Sequence, residues 1–451
     1  MATDGLTLEE LVRQARQAKD LTQAGLADRL ARVSGQSTIT RNEVSRWERG
    51  RRLPMAWLPW LSIVLDVPLA VLDQAAVLSR AKRLGVTVPD TNDDHLSLFG
   101  DGWTKESNAA MAEGLTVEDD AISEENALRI AHEWLIVEPP QLHEIRAGRR
   151  VGHELVDRIE ARIDRLRHLD DYVTGPDLHT LISQELRATA TVLREAAYKE
   201  DVGRRLLSAV GELCQLAGWV ISDAGQYGRG RAYYVKGIQA AHAAGNEPVA
   251  ANLLSSLSYQ MASVGDPRKA TVMARTAVKG AERSSTPLTR ALLLERVAWA
   301  HAKAGESTSA ERALGEVDEA FGQHREGDED PKWVYWLDRT EVDVMAGRCF
   351  TELARPLKAE PLLSQAIGAY DTTRVREVSL YLSWLADAYA QAHEIERATE
   401  AASTSLRLSL TINSARVTDR IEVVRSRLRP FTGTVAVQRF EDFYRSTVDA
   451  I

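Results

Sequence analysis

Two neighbouring stretches near the N-terminus decide the fold of the first part of this chain. They read LTQAGLADRLA at residues 21–31 and TITRNEVSRWERGRRLP at residues 38–54. In the second stretch, Val44 and Trp47 stand three positions apart, a spacing that places two apolar side chains on one face of a helix. The first stretch has a similar apolar spacing. The pattern therefore predicts one short helix in each stretch, with a connection between them.

The second helix is expected to begin at Thr40, whose hydroxyl can accept a hydrogen bond from a free backbone amide. Glu43 stands three residues later and would complete a capping box. The apolar periodicity predicts five helices in all, at residues 8–18, 22–33, 40–49, 57–65 and 69–84. We expect Trp47, Trp57 and Trp60 to belong to the core of this small bundle.

The two stretches resemble the helix-turn-helix of lambda-repressor-like regulators of the XRE/Cro type. The LTQ start, the following LA pair and the run VSRWERGRRLP occur in the order typical of that family. The connection at residues 34–39 is longer than the family pattern. The resemblance implies a DNA-binding domain at residues 1–85, and a homodimer that binds double-stranded DNA at a palindromic operator.

The side chains expected to face outward from the second helix suit DNA recognition. Arginine can bind guanine and asparagine can bind adenine through paired hydrogen bonds. The candidates for base contact are Arg41, Asn42, Ser45 and Arg46. The candidates for phosphate contact, which would fix the register, are Gln23, Thr40, Arg49, Arg51 and Arg52.

The charge of the chain is divided unevenly. The whole chain has a formal net charge of −9, yet residues 1–85 contain 13 Lys and Arg against 9 Asp and Glu. The remainder is strongly acidic and should repel DNA. Residues 86–120 carry nine acidic residues and the single Lys105, with little periodicity, and are predicted to form a flexible linker.

Helical patterns continue from residue 122 to the C-terminus. Residues 121–205 are predicted to cap a following array, and an apolar stripe within 149–173 could instead pair two subunits. An internal repeat occupies residues 206–451. Its marker is a small residue at intervals of about 40, with one acidic insert at 322–330: Gly230, Ala270, Ala310, Ala359 and Ala398.

The repeat resembles the tetratricopeptide repeat, in which a small residue lets two helices cross closely. It departs in its longer period, in Gly230 where alanine is usual, and in His393 at a turn position usually held by glycine. The resemblance implies an all-α fold in which an α-solenoid follows the five-helix domain. Its register places eight residues in an expected effector groove: Trp219, Asn252, Tyr259, Glu295, Trp299, Lys303, Arg348 and Asp387. Filling of a narrow superhelix by the aromatics is an equally open interpretation.

An N-terminal helix-turn-helix joined to such repeats also resembles the bacterial RRNPP regulators. By that resemblance the chain is a transcriptional regulator whose repeats bind a peptide, small-molecule or protein effector. The alternative is an interaction scaffold or antitoxin-like autoregulator whose repeats bind a partner protein. The dipeptides His132-Glu133 and His143-Glu144 lack the second histidine of a zinc-hydrolase site, so we expect no enzyme, metal or cofactor.

The two cysteines, Cys214 and Cys349, lie within helical patterns and suit buried thiols in a reducing compartment. The N-terminus is acidic where a signal peptide needs positive charge, and no apolar run approaches 18 residues. These features predict a cytoplasmic bacterial protein that joins the nucleoid when bound to DNA.

Overall fold

The computed structural model describes residues 6–34, 39–84, 103–115, 122–140, 148–170, 176–370, 374–410 and 415–448. Within these ranges the chain forms 21 α-helices and no strand, which confirms the predicted all-α fold. The chain divides into two compact units. The first comprises Met1–Ser97 with Ile136–Glu138, and the second comprises Leu98–Leu135 with Pro139–Ile451.

The first unit contains the five predicted helices. Two of them have the predicted bounds, and the others differ by one or two residues. They are α1 (Leu8–Ala18), α2 (Gln23–Ser34), α3 (Arg41–Glu48), α4 (Leu58–Leu65) and α5 (Leu69–Leu84). Leu8, Leu26 and Leu61 are fully buried in their shared core, and Trp47 is 3% exposed. Trp57 and Trp60 are half-buried against this core, as expected for packing residues.

The end of α3 is fixed by backbone geometry. Gly50 has a φ of 67°, in the left-handed region that glycine adopts without steric cost. Its amide donates to the Trp47 carbonyl and the Arg51 amide donates to the Arg46 carbonyl, both at 2.9 Å. This is a Schellman motif, which satisfies the last carbonyls of the helix. The chain therefore turns sharply after α3 and leaves its arginine-rich end at the surface.

The prediction of a linker at 86–120 is wrong for part of its length. Lys105–Gly114 forms a helix, α6, which packs on α9 (Pro176–Glu195). Asn108 is fully buried and donates to the Leu193 carbonyl at 3.2 Å and to the Tyr198 hydroxyl at 2.7 Å. Because the buried face is built from Asn108, Met111 and Ala112, it gives only a weak apolar periodicity. Residues 86–102 and 116–120 of the predicted linker lie outside the described ranges.

The second unit is dominated by five consecutive helical hairpins, at the positions that the repeat predicts. Helices α7 (Glu124–Ile136), α8 (His153–Leu169) and α9 precede the hairpins. The five pairs are α10 (Glu200–Asp223) with α11 (Tyr227–Ala244), α12 (Glu247–Val264) with α13 (Pro267–Gly280), α14 (Pro287–Lys303) with α15 (Ser307–Gln323), α16 (Arg339–Glu352) with α17 (Pro356–Ala369) and α18 (Val375–Gln391) with α19 (Ile395–Ser409). The first helix of each pair packs on the first helix of the next, and α20 (Ala415–Leu428) packs on α18. A final helix, α21 (Val435–Val448), packs on α19.

The array begins slightly before the predicted residue 206, because the first hairpin begins at Glu200. The apolar stripe of α8 is used within the chain. Val156, Ile159 and Ile163 are at most 1% exposed, and α8 packs on α9 and α10. This packing is what the capping interpretation of the helix expects.

The repeated small residues lie where the two helices of a hairpin cross. Ala270, Ala310, Ala359 and Ala398 are fully buried. At Gly230 a Cβ atom would stand 2.1 Å from Ser222 Oγ, so the crossing in the first hairpin is too close even for alanine. His393 has a φ of 62° and thus adopts the conformation that glycine holds in related turns. Gly230 and His393, which depart from the repeat pattern in sequence, therefore fit the same hairpin geometry as the other repeats.

Candidate functional site

The outer face of α3 presents the residues expected to contact bases. Val44 is fully buried, and it fixes the inner face of the helix together with Trp47. The exposed outer residues are Arg41, Asn42 and Arg46, with Ser45 half-buried beside them. The orientation predicted from the spacing of Val44 and Trp47 is confirmed.

Positive charge dominates the surface around α3. Its arginines are exposed: Arg41, Arg46, Arg49, Arg51 and Arg52. Of the two glutamates in this segment, Glu48 is 3% exposed and pairs with Arg16 at 2.5 Å. Glu43 is the other, and it pairs with Arg46 at 2.8 Å and with Arg52 at 3.4 Å. Burial of Glu48 removes one negative charge from a surface that would otherwise be closer to neutral.

Two details differ from the predicted roles. Thr40 is the N-cap residue of α3 by position, but its side chain accepts no capping hydrogen bond. Because Glu43 is held by two arginines, the predicted capping box does not form. Gln23 donates its amide to Glu48 Oε2 at 2.8 Å, so it supports the bundle as well as standing near the surface.

The second candidate site is a cavity of about 290 Å³ in the hairpin array. Its walls come from the first helices of successive hairpins, with contributions from α8 and α20. Five of the eight predicted groove residues line it: Trp219, Asn252, Tyr259, Glu295 and Arg348. The sequence prediction therefore identifies five of the 25 residues that line this cavity.

Trp299, Lys303 and Asp387, the other three predicted groove residues, do not line this cavity. Trp299 is 2% exposed because neighbouring rings and the Arg348 guanidinium enclose it. Lys303 pairs with Glu352 at 3.2 Å. Asp387 is 2% exposed because arginines of α20 cover it. Trp299 and Asp387 belong to the interior packing of the array, whereas Lys303 is half-buried.

The repeated aromatic residues form a continuous stack. The ring centres of Trp219 and Tyr259 are 5.8 Å apart, and those of Tyr259 and Trp299 are 6.0 Å apart. Trp384 extends the stack edge-on at 5.5 Å from Trp299. Spacings of this size are typical of stabilising aromatic pairs. One end of the stack, at Trp219, is half-buried and faces the cavity.

Helix α20 supplies functional candidates that the sequence reasoning missed. Arg416 pairs with Asp223 and lies 4.8 Å from the ring centre of Trp219. Arg420 pairs with Asp387 at 2.6 Å and lies 3.4 Å from the ring centre of Trp384. These two arginines are four residues apart and so share one helix face. The spacing of the two arginines is visible in the sequence, but the residues that they contact in the hairpin array are not.

The cavity wall is electrostatically unusual at Tyr259. Burial opposes ionisation of its hydroxyl, but the guanidinium groups of Arg348, Arg416 and Arg296 outweigh burial and lower the pKa of Tyr259 to about 8. Arg348 Nη2 donates to this hydroxyl at 2.6 Å. Glu295 is 1% exposed, and burial raises the pKa of its carboxyl to about 8 although Arg296 opposes the shift. Glu295 is therefore neutral over most of the physiological range.

The raised pKa of Glu295 predicts a pH-dependent stability. Between the ordinary pKa of 4.5 and about 8, the folded state retains a proton that the unfolded state has lost. The free energy of unfolding therefore falls as pH rises, with a slope of up to about 1.4 kcal/mol per pH unit. Glu295→Gln removes the ionisable carboxyl and with it this pH dependence. The free energy of unfolding of the variant, measured by chemical denaturation relative to that of the wild type, should therefore increase from pH 5 to pH 8. The charged groups that act on Glu295 are Arg296, Arg348 and Glu341.

Glu282→Gln is the matched control. The Glu282 carboxyl is exposed, and the neighbouring Lys279 lowers its pKa. This variant should show no relative gain with pH. Equal pH profiles for Glu295→Gln and the wild type would contradict the neutral state of Glu295.

No protein-family model matches the chain, and a search of curated proteins found no similar sequence. Functional inference therefore depends on the two sites themselves. None of the helices in the described ranges combines the length and apolar character needed to cross a lipid bilayer. Cys214 and Cys349 are unpaired and buried, as predicted.

Proposed function

We propose that this chain is a sequence-specific DNA-binding transcriptional regulator whose hairpin array binds an effector. The observation that carries the proposal is the outer face of α3, where Arg41, Asn42 and Arg46 are exposed side by side on a helix anchored by a buried face. These side chain types can form paired hydrogen bonds to base edges in the major groove. The five exposed arginines around α3 give this face an electrostatic preference for DNA, although the whole chain has a net charge of −9.

The remaining residues near α3 suit contacts to the DNA backbone. Arg49, Arg51 and Arg52 follow the helix and are exposed. The exposed Thr40 makes no capping bond, which leaves its hydroxyl able to bind phosphate. One such head reads few bases, so we propose that the chain binds as a homodimer to two half-sites roughly one helical turn apart. Light scattering of the full chain with and without operator DNA would test the dimer.

Arg41→Ala and Arg52→Ala should separate base reading from phosphate binding. Selection from random double-stranded DNA by the full chain should yield a preferred sequence, and Arg41→Ala should relax one position of it, at a cost of about 1–3 kcal/mol. Arg52→Ala should weaken binding to all sequences alike. It should also reduce the slope of log affinity against log salt concentration by about the contribution of one phosphate contact. Titrations at several salt concentrations measure both effects.

Failure of the wild-type chain to enrich any sequence would contradict the proposed function. Enrichment of the same motif by Arg41→Ala would instead overturn the base-reading role of Arg41. The two outcomes are distinguishable because each variant is compared with the wild type on the same selected DNA.

A further inference from the structure

Arginines and carboxylates line the cavity together, and not every arginine is closely paired. Its six arginines include three in close ion pairs: Arg167 with Glu212 at 2.7 Å, Arg376 with Asp170 at 3.2 Å, and Arg416 with Asp223. Arg296 reaches its nearest carboxylate, Glu295, only at 4.0 Å. Within the described ranges, no carboxylate lies within ion-pair distance of Arg348. The pairing of charges in the wall is therefore incomplete at Arg348.

Arg348 is the arginine of the wall at which this pairing is most clearly incomplete. It is 7% exposed, and its Nε has no hydrogen-bond acceptor in the described structure. A guanidinium does not lose its proton in a protein, so this buried group stays charged. Its guanidinium carbon lies 4.7 Å from the ring centre of Trp299 and 5.3 Å from that of Trp384. These rings offset part of the desolvation cost, but a ring face does not accept a conventional hydrogen bond from Nε.

Nearby polar atoms are also without partners. Arg296 Nε and Glu295 Oε1 make no hydrogen bond in the described structure. Both residues line the cavity, as Arg348 does. A buried polar atom without a hydrogen bond lowers the stability of the folded state. Several such atoms at one cavity indicate a bound group that would supply the missing hydrogen bonds. An anion with oxygen acceptors would satisfy the two guanidinium groups.

We propose that the cavity binds a small organic acid whose carboxylate pairs with Arg348 while its planar aromatic part packs among the aromatic residues of the wall. The planar fork of arginine matches a carboxylate in two parallel hydrogen bonds. The aromatic residues of the wall include Trp219, Tyr259, Trp333, Trp336 and Tyr381. The role of this acid as an effector rests on the proposed function, whereas its binding does not.

The size of the cavity favours a small molecule over a peptide. Its volume of about 290 Å³ lies just below the range of roughly 300–1,000 Å³ for small-molecule sites. An extended peptide would need an open groove along several repeats. Arg416 and Arg420 of α20 instead pack over the aromatic stack at Trp219 and Trp384.

The test uses the full chain without DNA and phenylacetate as the probe. Isothermal titration calorimetry should show saturable binding of phenylacetate and at least about tenfold weaker binding of its neutral isostere phenylacetamide, because the charged hydrogen bonds are lost. Equal affinities for the two probes would overturn the proposal, as would no binding of phenylacetate. Binding of inorganic phosphate or of the tripeptide Gly-Gly-Phe without binding of phenylacetate would overturn it as well.

Arg348→Met should weaken phenylacetate binding at least about tenfold, whereas Lys303→Met removes a cation outside the cavity wall and should not. Circular dichroism establishes whether each variant folds; if Arg348→Met does not, the comparison of the two wild-type probes decides. Phenylacetate binding without any DNA selectivity would contradict the proposed function alone. DNA selectivity without phenylacetate binding would overturn this inference alone.

Discussion

Trp299→Ala should lower the free energy of unfolding of the hairpin array by about 3–5 kcal/mol, the range expected for removal of a large buried aromatic side chain. Trp299 is 2% exposed and lies in the third of five hairpins. It contacts Tyr259, Trp384 and the Arg348 guanidinium, and its indole nitrogen donates to Ser263 Oγ at 3.3 Å. Its loss would leave a void in the centre of the stack and remove an aromatic face from a buried charge.

Trp219→Ala is the matched control, because Trp219 has the same position two repeats earlier. Its ring is half-buried and contacts one aromatic neighbour, Tyr259, at 5.8 Å. Since less apolar area is removed from water there, the loss should stay below about 2 kcal/mol. Guanidinium denaturation followed by far-ultraviolet circular dichroism measures both variants. A loss below about 1 kcal/mol for Trp299→Ala, against the range expected for a core tryptophan, would show that the stack contributes little to stability.

Sequence periodicity predicted the parts of this fold that depend on local pattern. The bounds of α1 and α5 follow from apolar residues at helical spacing, and the five hairpins follow from small residues such as Ala270 and Ala310 at 40-residue intervals. Such signals are local because each helix buries one face and each crossing requires one small side chain. The outward orientation of Arg41 was predictable for the same reason.

The features that escaped prediction depend on contacts between distant residues. Arg416 meets Asp223 across 193 positions of the chain, and no local pattern encodes that pairing. The buried face of α6 is polar at Asn108, which an apolar periodicity does not detect. The register predicted that Trp299 would face a groove, but Trp384 and Arg348 enclose it. Charge alone likewise could not distinguish the buried Glu48 from the more exposed Glu43.

Glu48→Ala should destabilise the first unit by about 3–5 kcal/mol, the cost of removing one partner from a buried ion pair. The Glu48 carboxylate accepts hydrogen bonds from Arg16 Nε at 2.5 Å, Arg16 Nη2 at 3.1 Å and Gln23 Nε2 at 2.8 Å. It thereby joins α3 to α1 and α2. Without it, the largely buried Arg16 guanidinium keeps its charge and loses its carboxylate. Because a domain of this size is stable by only about 5–15 kcal/mol, much of the stability of the unit would be lost.

Glu43→Ala provides the contrast on the same helix. Its pairs with Arg46 and Arg52 lie near the surface, where an ion pair contributes at most about 1 kcal/mol. Hydrogen exchange of peptides from α1 to α3 in the full chain should accelerate by about two orders of magnitude or more in Glu48→Ala and change little in Glu43→Ala.

The effects of the two substitutions on DNA binding should be opposite. Glu48→Ala releases α3 from its support and should weaken binding, whereas Glu43→Ala leaves Arg46 and Arg52 without their intramolecular partner and should strengthen it. Equal protection in both variants would show that the buried carboxylate does not hold the DNA-binding helix in place.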